Sequence, residues 1–248
     1  MKGTINQSKS LVSETFLKSL ILLSIFCLIL LSLQFSSPSP RCHPRNDLKI
    51  RSGYTSYDTY IHHQLQKTTN PKLRKIWTSR DWDRKILVFT HFFNHLKQEK
   101  LLINSSKCLC VGARVGQEVE ALKRVGVNDS IGLDLVPYPP NVIKGDFHHQ
   151  PFDDNTFDYE FSNVFDHALY PDKFVKEIQR TLKPGGICVL HVALSRRSDK
   201  YSANDLYSIE PLKQLFNGSD LVRSRKVDGF GLDTEVVFRK RQKGHLQH

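Results

Sequence analysis

The first pattern along the chain is a run without charge. Residues 19–35 read SLILLSIFCLILLSLQF, and at about 1.5 Å of helical rise per residue they fall slightly short of a hydrocarbon core of roughly 30 Å unless Phe16 and Leu17 join them. Lys18 stands where it can snorkel to the head groups. The run exceeds the apolar region of a cleaved leader and no A-x-A site follows, so it reads as an uncleaved signal anchor after a short N-terminal tail, 1–18. Residues 36–53 are rich in Ser, Pro and Arg and read as a stem. That leaves 54–240 for one domain, with a helical lead-in at 54–105 and a core at 106–240, and 241–248 as a basic tail.

Inside the lead-in the period is helical. Phe89, Phe92, Phe93 and Leu96 fall at i, i+3, i+4 and i+7, a stripe that reads as core packing. From Lys107 short apolar runs alternate with helical periods. Strands are expected at 108–111, 131–135, 142–145, 157–162, 187–192, 221–227 and 235–239, and helices at 115–125, 172–182 and 205–216. That alternation predicts an α/β fold: a Rossmann-like, doubly wound, mainly parallel sheet of seven strands, preceded by one transmembrane helix.

Composition narrows the partners. Lys and Arg total 36 against 25 acids, a formal charge of +11, so anionic partners are favoured. No RNA-recognition, zinc-finger or basic-zipper pattern is present, which argues against nucleic acid. The residues Lys72, Arg74, Lys75, Arg84 and Lys85 read as a solvated face, or more sharply as a face for an acidic acceptor. Five cysteines form no disulfide scaffold and no metal-ligand array. Cys108, Cys110 and Cys188 read as small buried hydrophobes, the first two expected on opposite faces of their strand. Cys42 is the one placed for acylation or an interchain disulfide. Lys2, Lys9 and Lys18 before the apolar run balance Arg41, Arg45, Lys49 and Arg51 after it, so charge does not orient the chain. Sequons at Asn104, Asn128 and Asn217 suit a luminal domain of the Golgi or endoplasmic reticulum.

The chemistry concentrates in KCLCVGARVGQEVEALKRVGVNDSIGLDL, residues 107–135. A short strand runs into Gly112-Ala-Arg-Val-Gly116, which opens a helix. Glycine there admits a ligand close to the backbone, and the helix start offers free N–H groups. Some twenty residues on, Asp134 ends the next strand, where a carboxylate can accept from ribose hydroxyls. Then come Gly145-Asp146-Phe147, the run Pro151-Phe152-Asp153-Asp154, and Glu177 through Lys183-Pro-Gly-Gly186. In that order these segments resemble class I S-adenosylmethionine-dependent methyltransferases of the type 11 branch. The wording GARVGQEV, GDFHHQPF and FSNVFDHALYP looks like a plant group of membrane-anchored members.

The resemblance implies S-adenosyl-L-methionine as cofactor and assigns roles to particular residues. Gly112 and Gly116, with Arg114 between them, would cradle its amino-acid part. Asp134 would hold the ribose, with Leu135 beside the adenine. Asp146 would meet the adenine amino group and Phe147 would lie against the ring. Ser162 and Asn163 would border the methionine moiety, and Lys183 to Gly186 would form a structural turn. Two positions depart from the family. Cys110 stands where an acid usually holds the cofactor's amino group, and Arg114 replaces the middle glycine. In-line methyl transfer depends largely on positioning, and an oxygen nucleophile gains from a base. His167 is the first candidate and Asp166 the second; His148 and His149 also follow a strand end.

The leading reading is therefore a membrane-anchored O-methyltransferase acting on a small-molecule or saccharide acceptor of acidic character. The alternatives are a non-catalytic methyltransferase-fold scaffold with a degenerate cofactor loop, and a dinucleotide oxidoreductase, whose G-x-G-x-x-G frame is missing here.

Overall fold

The computed structural model describes residues 47–195 and 200–242, together with Ser24, which lies in a helix. Ser24 apart, the expected anchor at 19–35 lies outside the described residues, as do Cys42 and the end of the basic tail. Among the described residues no helix is long and apolar enough to cross a membrane. The chain divides into Met1–Arg45 and Asn46–His248; the architecture below is that of the second unit.

The lead-in forms three helices, α1 (Tyr57–Thr68), α2 (Pro71–Thr78) and α3 (Trp82–Gln98). Local chemistry sets their starts. The Ser56 hydroxyl accepts from the Thr59 N–H while Thr59 answers with its own side chain, a reciprocal cap. Asn70 accepts from the N–H groups of Lys72 and Leu73, with Pro71 in the first turn.

The alternating part then supplies β2 (Cys108–Val111), α4 (Gln117–Arg124), β3 (Ser130–Asp134), β4 (Val142–Lys144), β5 (Phe157–Ser162), α5 (Pro171–Thr181) and β6 (Leu182–Val192). After these come α6 (Glu210–Leu215) and the long hairpin β8 (Ser219–Gly229) and β9 (Leu232–Lys240). All seven expected sheet strands are present, in the order β4-β3-β2-β5-β6-β9-β8. The first five run parallel, and β9 lies antiparallel between β6 and β8. The strand order reverses between β2 and β5, so the loops leaving their carboxyl ends diverge and open a crevice.

Two buried layers cover the sheet. On one face Phe89, Phe92, Phe93 and Leu96 of α3 pack with Val119 and Leu122 of α4, as the stripe predicted. On the other, Phe174 and Ile178 of α5 pack with Leu212 and Phe216. Cys108 and Cys110 are buried as expected, but on the same face, under α3 and α4. A strand has a period of two, so positions two apart return to one side, and Leu109 and Val111 take the other.

Three local expectations are corrected. Leu48–Ile50 form a strand, β1, although they fell within the expected stem; they pair antiparallel with β7 (Asn204–Leu206). That pairing removes the start of the helix expected at 205–216. Asp205 is held by Arg51 at 2.7 Å, and helix begins only near Pro211, which suits a first turn. Lys183 to Gly186 bulge out of β6 between the pairs Phe157↔Leu182 and Tyr159↔Ile187. Gly185, at φ +83°, permits that excursion.

Candidate cofactor and acceptor site

The loop leaving β2 is built for close approach. Gly112 has φ +76°, and a Cβ there would lie 2.3 Å from a methyl of Val164. Gly116 has φ +84°, and its Cβ would lie 2.8 Å from that of Asn141. Both positions exclude a side chain on conformation and on space. The loop is pinned to β3: the N–H groups of Gly112 and Ala113 donate to the Leu133 carbonyl, and the Arg114 N–H donates to Asp134 Oδ2 at 2.8 Å. Burial pushes the Asp134 carboxyl above its usual range, against the pull of that N–H.

Arg114, the unexpected residue of the loop, takes φ +56°. Its guanidinium lies 4.9 Å from the centre of the Trp77 ring, which lines the same cleft, a cation–π contact that fixes the side chain. The backbone can therefore follow the path that glycine would give, at a conformational cost of about 1–2 kcal/mol. Gln117, at the start of α4, anchors the same region by donating to the backbone carbonyls of Trp77 and Asp81.

Of the expected cofactor residues, Gly112, Arg114, Asp134, Leu135, Asp146 and Phe147 line one cleft. Its roof is α1, through Tyr60, Ile61, Gln64 and Lys67. Gly116 shapes the loop from behind. Asp146 enters the cleft already engaged: the Tyr57 hydroxyl donates to one oxygen and the His148 N–H to the other. Burial alone would raise this carboxyl, but those bonds hold it below the usual range. Phe147 stands edge-on to Phe174, ring centres 5.2 Å apart.

Ser162 does not border the cleft. It is buried, donates to the Val111 carbonyl at 3.0 Å, and so ties β5 to β2. Asn163 does face a second, adjoining groove, and its amide donates to Glu118 Oε1 at 3.0 Å. This groove carries three cationic side chains, Lys67, Lys85 and Arg114, with Asp166, His167 and the Gly229-Phe230-Gly231 turn. Lys67, Arg114 and His167 line both spaces. Burial, with Arg114 nearby, lowers the Lys85 ammonium to about 8.

His167 therefore stands where the two spaces meet. Its Nδ1 is 3.0 Å from Gln64 Oε1. That oxygen only accepts, so Nδ1 carries the proton and Nε2 keeps a lone pair, which faces Lys67 Nζ at 3.3 Å. Asp166 accepts from the Ser202 hydroxyl. His148 is buried among Tyr57, Tyr60 and Tyr170 and accepts from the Tyr170 N–H, a structural role. His149 lines a neighbouring surface groove that shares Asp146 with the cleft.

The contributions of α1, Trp77, Glu118 and Phe230 had no short-range signal in the sequence. They reach the crevice only through packing.

With the geometry in place, the comparisons bear on the class. Residues 109–190 match the family described as a methyltransferase domain. Over 100 residues the chain is 36% identical to the sterol 24-C-methyltransferase of Schizosaccharomyces pombe, an alignment over 36% of this chain and 26% of that protein. It is 28% identical over 132 residues to the 24-methylenesterol C-methyltransferase 2 of Arabidopsis thaliana, over 46% of this chain and 36% of that one. The chain thus spans about a quarter to a third of these curated relatives. Among solved structures, the 1,6-didemethyltoxoflavin-N1-methyltransferase of Burkholderia thailandensis, with bound 1,6-didemethyltoxoflavin and S-adenosylhomocysteine, superposes with a TM-score of 0.60 at 16% identity, over 78% of this chain and 94% of that one. A methyltransferase from Aquifex aeolicus gives 0.52 at 21%, over 67% and 97%.

The fold is shared with the superposed methyltransferases, and residues 109–190 carry the match to the methyltransferase-domain family. The comparisons support S-adenosylmethionine as the cofactor. The residues present fit that group: a side-chain-free loop at Gly112, a carboxylate at Asp134, and a buried carboxylate oxygen without a partner at Glu118.

Proposed function

We propose that the chain is a membrane-anchored, S-adenosylmethionine-dependent methyltransferase that modifies an oxygen of an anionic small molecule or saccharide. One observation carries the acceptor class: the groove beside the cofactor cleft is lined by Lys67, Lys85 and Arg114 against a single acid, Asp166. Clustered cations in a partly enclosed groove attract and orient an anion.

S-adenosylmethionine supplies a methyl group already activated on a sulfonium sulfur. The protein's task is then to hold the acceptor oxygen in line and to keep water out. Lys67 and Lys85 would pair the acceptor's charge, while α1 roofs the cleft. A carboxylate acceptor needs no base. For a hydroxyl acceptor, His167 Nε2 would take the proton once Lys67 turns to the acceptor.

The curated relatives favour a second reading, methylation of a sterol carbon. Attack by an alkene leaves a carbocation, which three neighbouring cations would disfavour. Cys110 and Arg114 motivate a third, a fold that serves without catalysis. The membrane anchor, the plant membrane-anchored group and a luminal domain belong to the same proposal. The exposure of Asn104, Asn128 and Asn217 supports it.

The test is methyl transfer from isotope-labelled cofactor by the full chain in detergent, offered acidic oligosaccharides, small carboxylates and unsaturated sterols. Label in an alkali-labile ester or an ether on an anionic acceptor supports the proposal. Label in the sterol alone overturns it in favour of carbon methylation, and no transfer by cofactor-binding protein favours the scaffold.

A further inference from the structure

Glu118 is the least explained group in the site. It is 4% exposed, in the first turn of α4. One oxygen accepts from Asn163 at 3.0 Å, and the other is buried with no hydrogen-bond partner. A carboxylate with an empty face in such a place is costly, and proteins keep such groups where a ligand completes them.

Its surroundings indicate which ligand. Glu118 interacts electrostatically with Cys110, the position at which an acid was expected. Burial pushes that thiol well above its usual value, so Cys110 offers no negative charge. Burial also raises the Glu118 carboxyl, while the charges of Arg114 and Lys85 oppose that rise. Both cations line the acceptor-side groove, as does Asn163. The carboxylate thus lies directly behind the end of β5 and the turn of the glycine loop. No other buried acid among the described residues lies there: Glu160, Glu177 and Glu235 are bonded to Thr181, Arg180 and His191.

We propose that Glu118 replaces the missing strand-end acid and receives the α-ammonium of the cofactor's methionine part, with Asn163 holding the carboxylate in position. The inference rests on S-adenosylmethionine being the cofactor. In effect the negative charge has moved eight residues along the chain, from the end of β2 to the first turn of α4, just past the glycine loop and against Asn163, which lines the groove.

The experiment measures binding of S-adenosylhomocysteine, its analogue lacking the amino group, and adenosine to the full chain, by calorimetry, for wild type, Glu118→Gln and Glu118→Met. Wild type should prefer the homocysteine compound to the deaminated one by about tenfold or more, the worth of one charge-assisted hydrogen bond. In both variants that preference should fall to within about threefold, with adenosine affinity unchanged, since only the ammonium contact is lost. Thermal melts supply the second readout: Glu118→Gln removes a buried charge with an unpaired oxygen, so it should melt no lower than wild type. Full discrimination retained in a folded variant overturns the proposal, as does a loss shared equally by all three ligands. Absence of any binding to folded wild type overturns the cofactor reading itself, and with it this one.

Discussion

Asp134→Asn puts the cofactor cleft to a quantitative test. Asp134 Oδ2 accepts the Arg114 N–H at 2.8 Å, and Oδ1 lies 3.4 Å from the Val136 N. An asparagine keeps the first bond through its amide oxygen, so the loop stays pinned. Its NH2 then takes the place of Oδ1, an acceptor becomes a donor, and the negative charge is gone. A hydrogen bond to a charged group contributes about 1.5–3 kcal/mol, and about 1.4 kcal/mol is tenfold in affinity. Losing one such bond from a ribose hydroxyl should weaken S-adenosylhomocysteine roughly 10- to 150-fold. The melting temperature should change little, because the lost acceptor for the Val136 N–H is offset by removing a carboxylate that burial already disfavours. Calorimetry beside a thermal melt separates the two effects. Unchanged affinity in a folded variant would refute the assignment of Asp134 to the ribose. A melt lowered in step with the affinity would show that the carboxylate serves the loop instead.

Three further outcomes follow from the same geometry. Gly112→Ala adds the left-handed penalty of about 1–2 kcal/mol and an overlap with Val164 worth about 1–3 kcal/mol. Its melting temperature should fall by roughly 5–15 °C, and adding Val164→Ala should recover the steric part only; full recovery would deny the backbone strain. Tyr57→Phe frees an oxygen of Asp146, so adenosine should bind roughly threefold to tenfold tighter if that oxygen meets the adenine; weaker binding would make Tyr57 itself the contact. Burial holds the Glu160 carboxyl at about 8, against a hydrogen bond from Thr181. The folded state therefore keeps a proton that the unfolded chain sheds above about 4.3. The stability this provides is complete below that pH and drains away as pH rises toward 8. Glu160→Gln should narrow the gap between melts taken at pH 5 and pH 8.5, and an unchanged gap would place the titration elsewhere.

The seven sheet strands, the core stripe on α3, and the glycine loop followed by Asp134 were legible in the sequence because each rests on short-range physics. Period-two and period-3.6 burial set the elements, and the loop's conformation demands glycine at Gly112 and Gly116. Local pattern could not show that Leu48–Ile50 would find β7, since that pairing spans more than 150 residues, nor that Asp205 would leave its expected helix for it. The site divides the same way. Gly112, Asp134 and Asp146 sit at strand ends, where chain order alone brings them to one edge. Ser162 lies away from the cleft because a strand-end residue can turn either way, and its hydroxyl turned to the Val111 carbonyl. The Trp77 ring against which Arg114 lies, the α1 roof, and the unpaired oxygen of Glu118 beside Cys110 came into view only in the fold. These contacts join side chains far apart in sequence, and their energy exists only once the layers have packed.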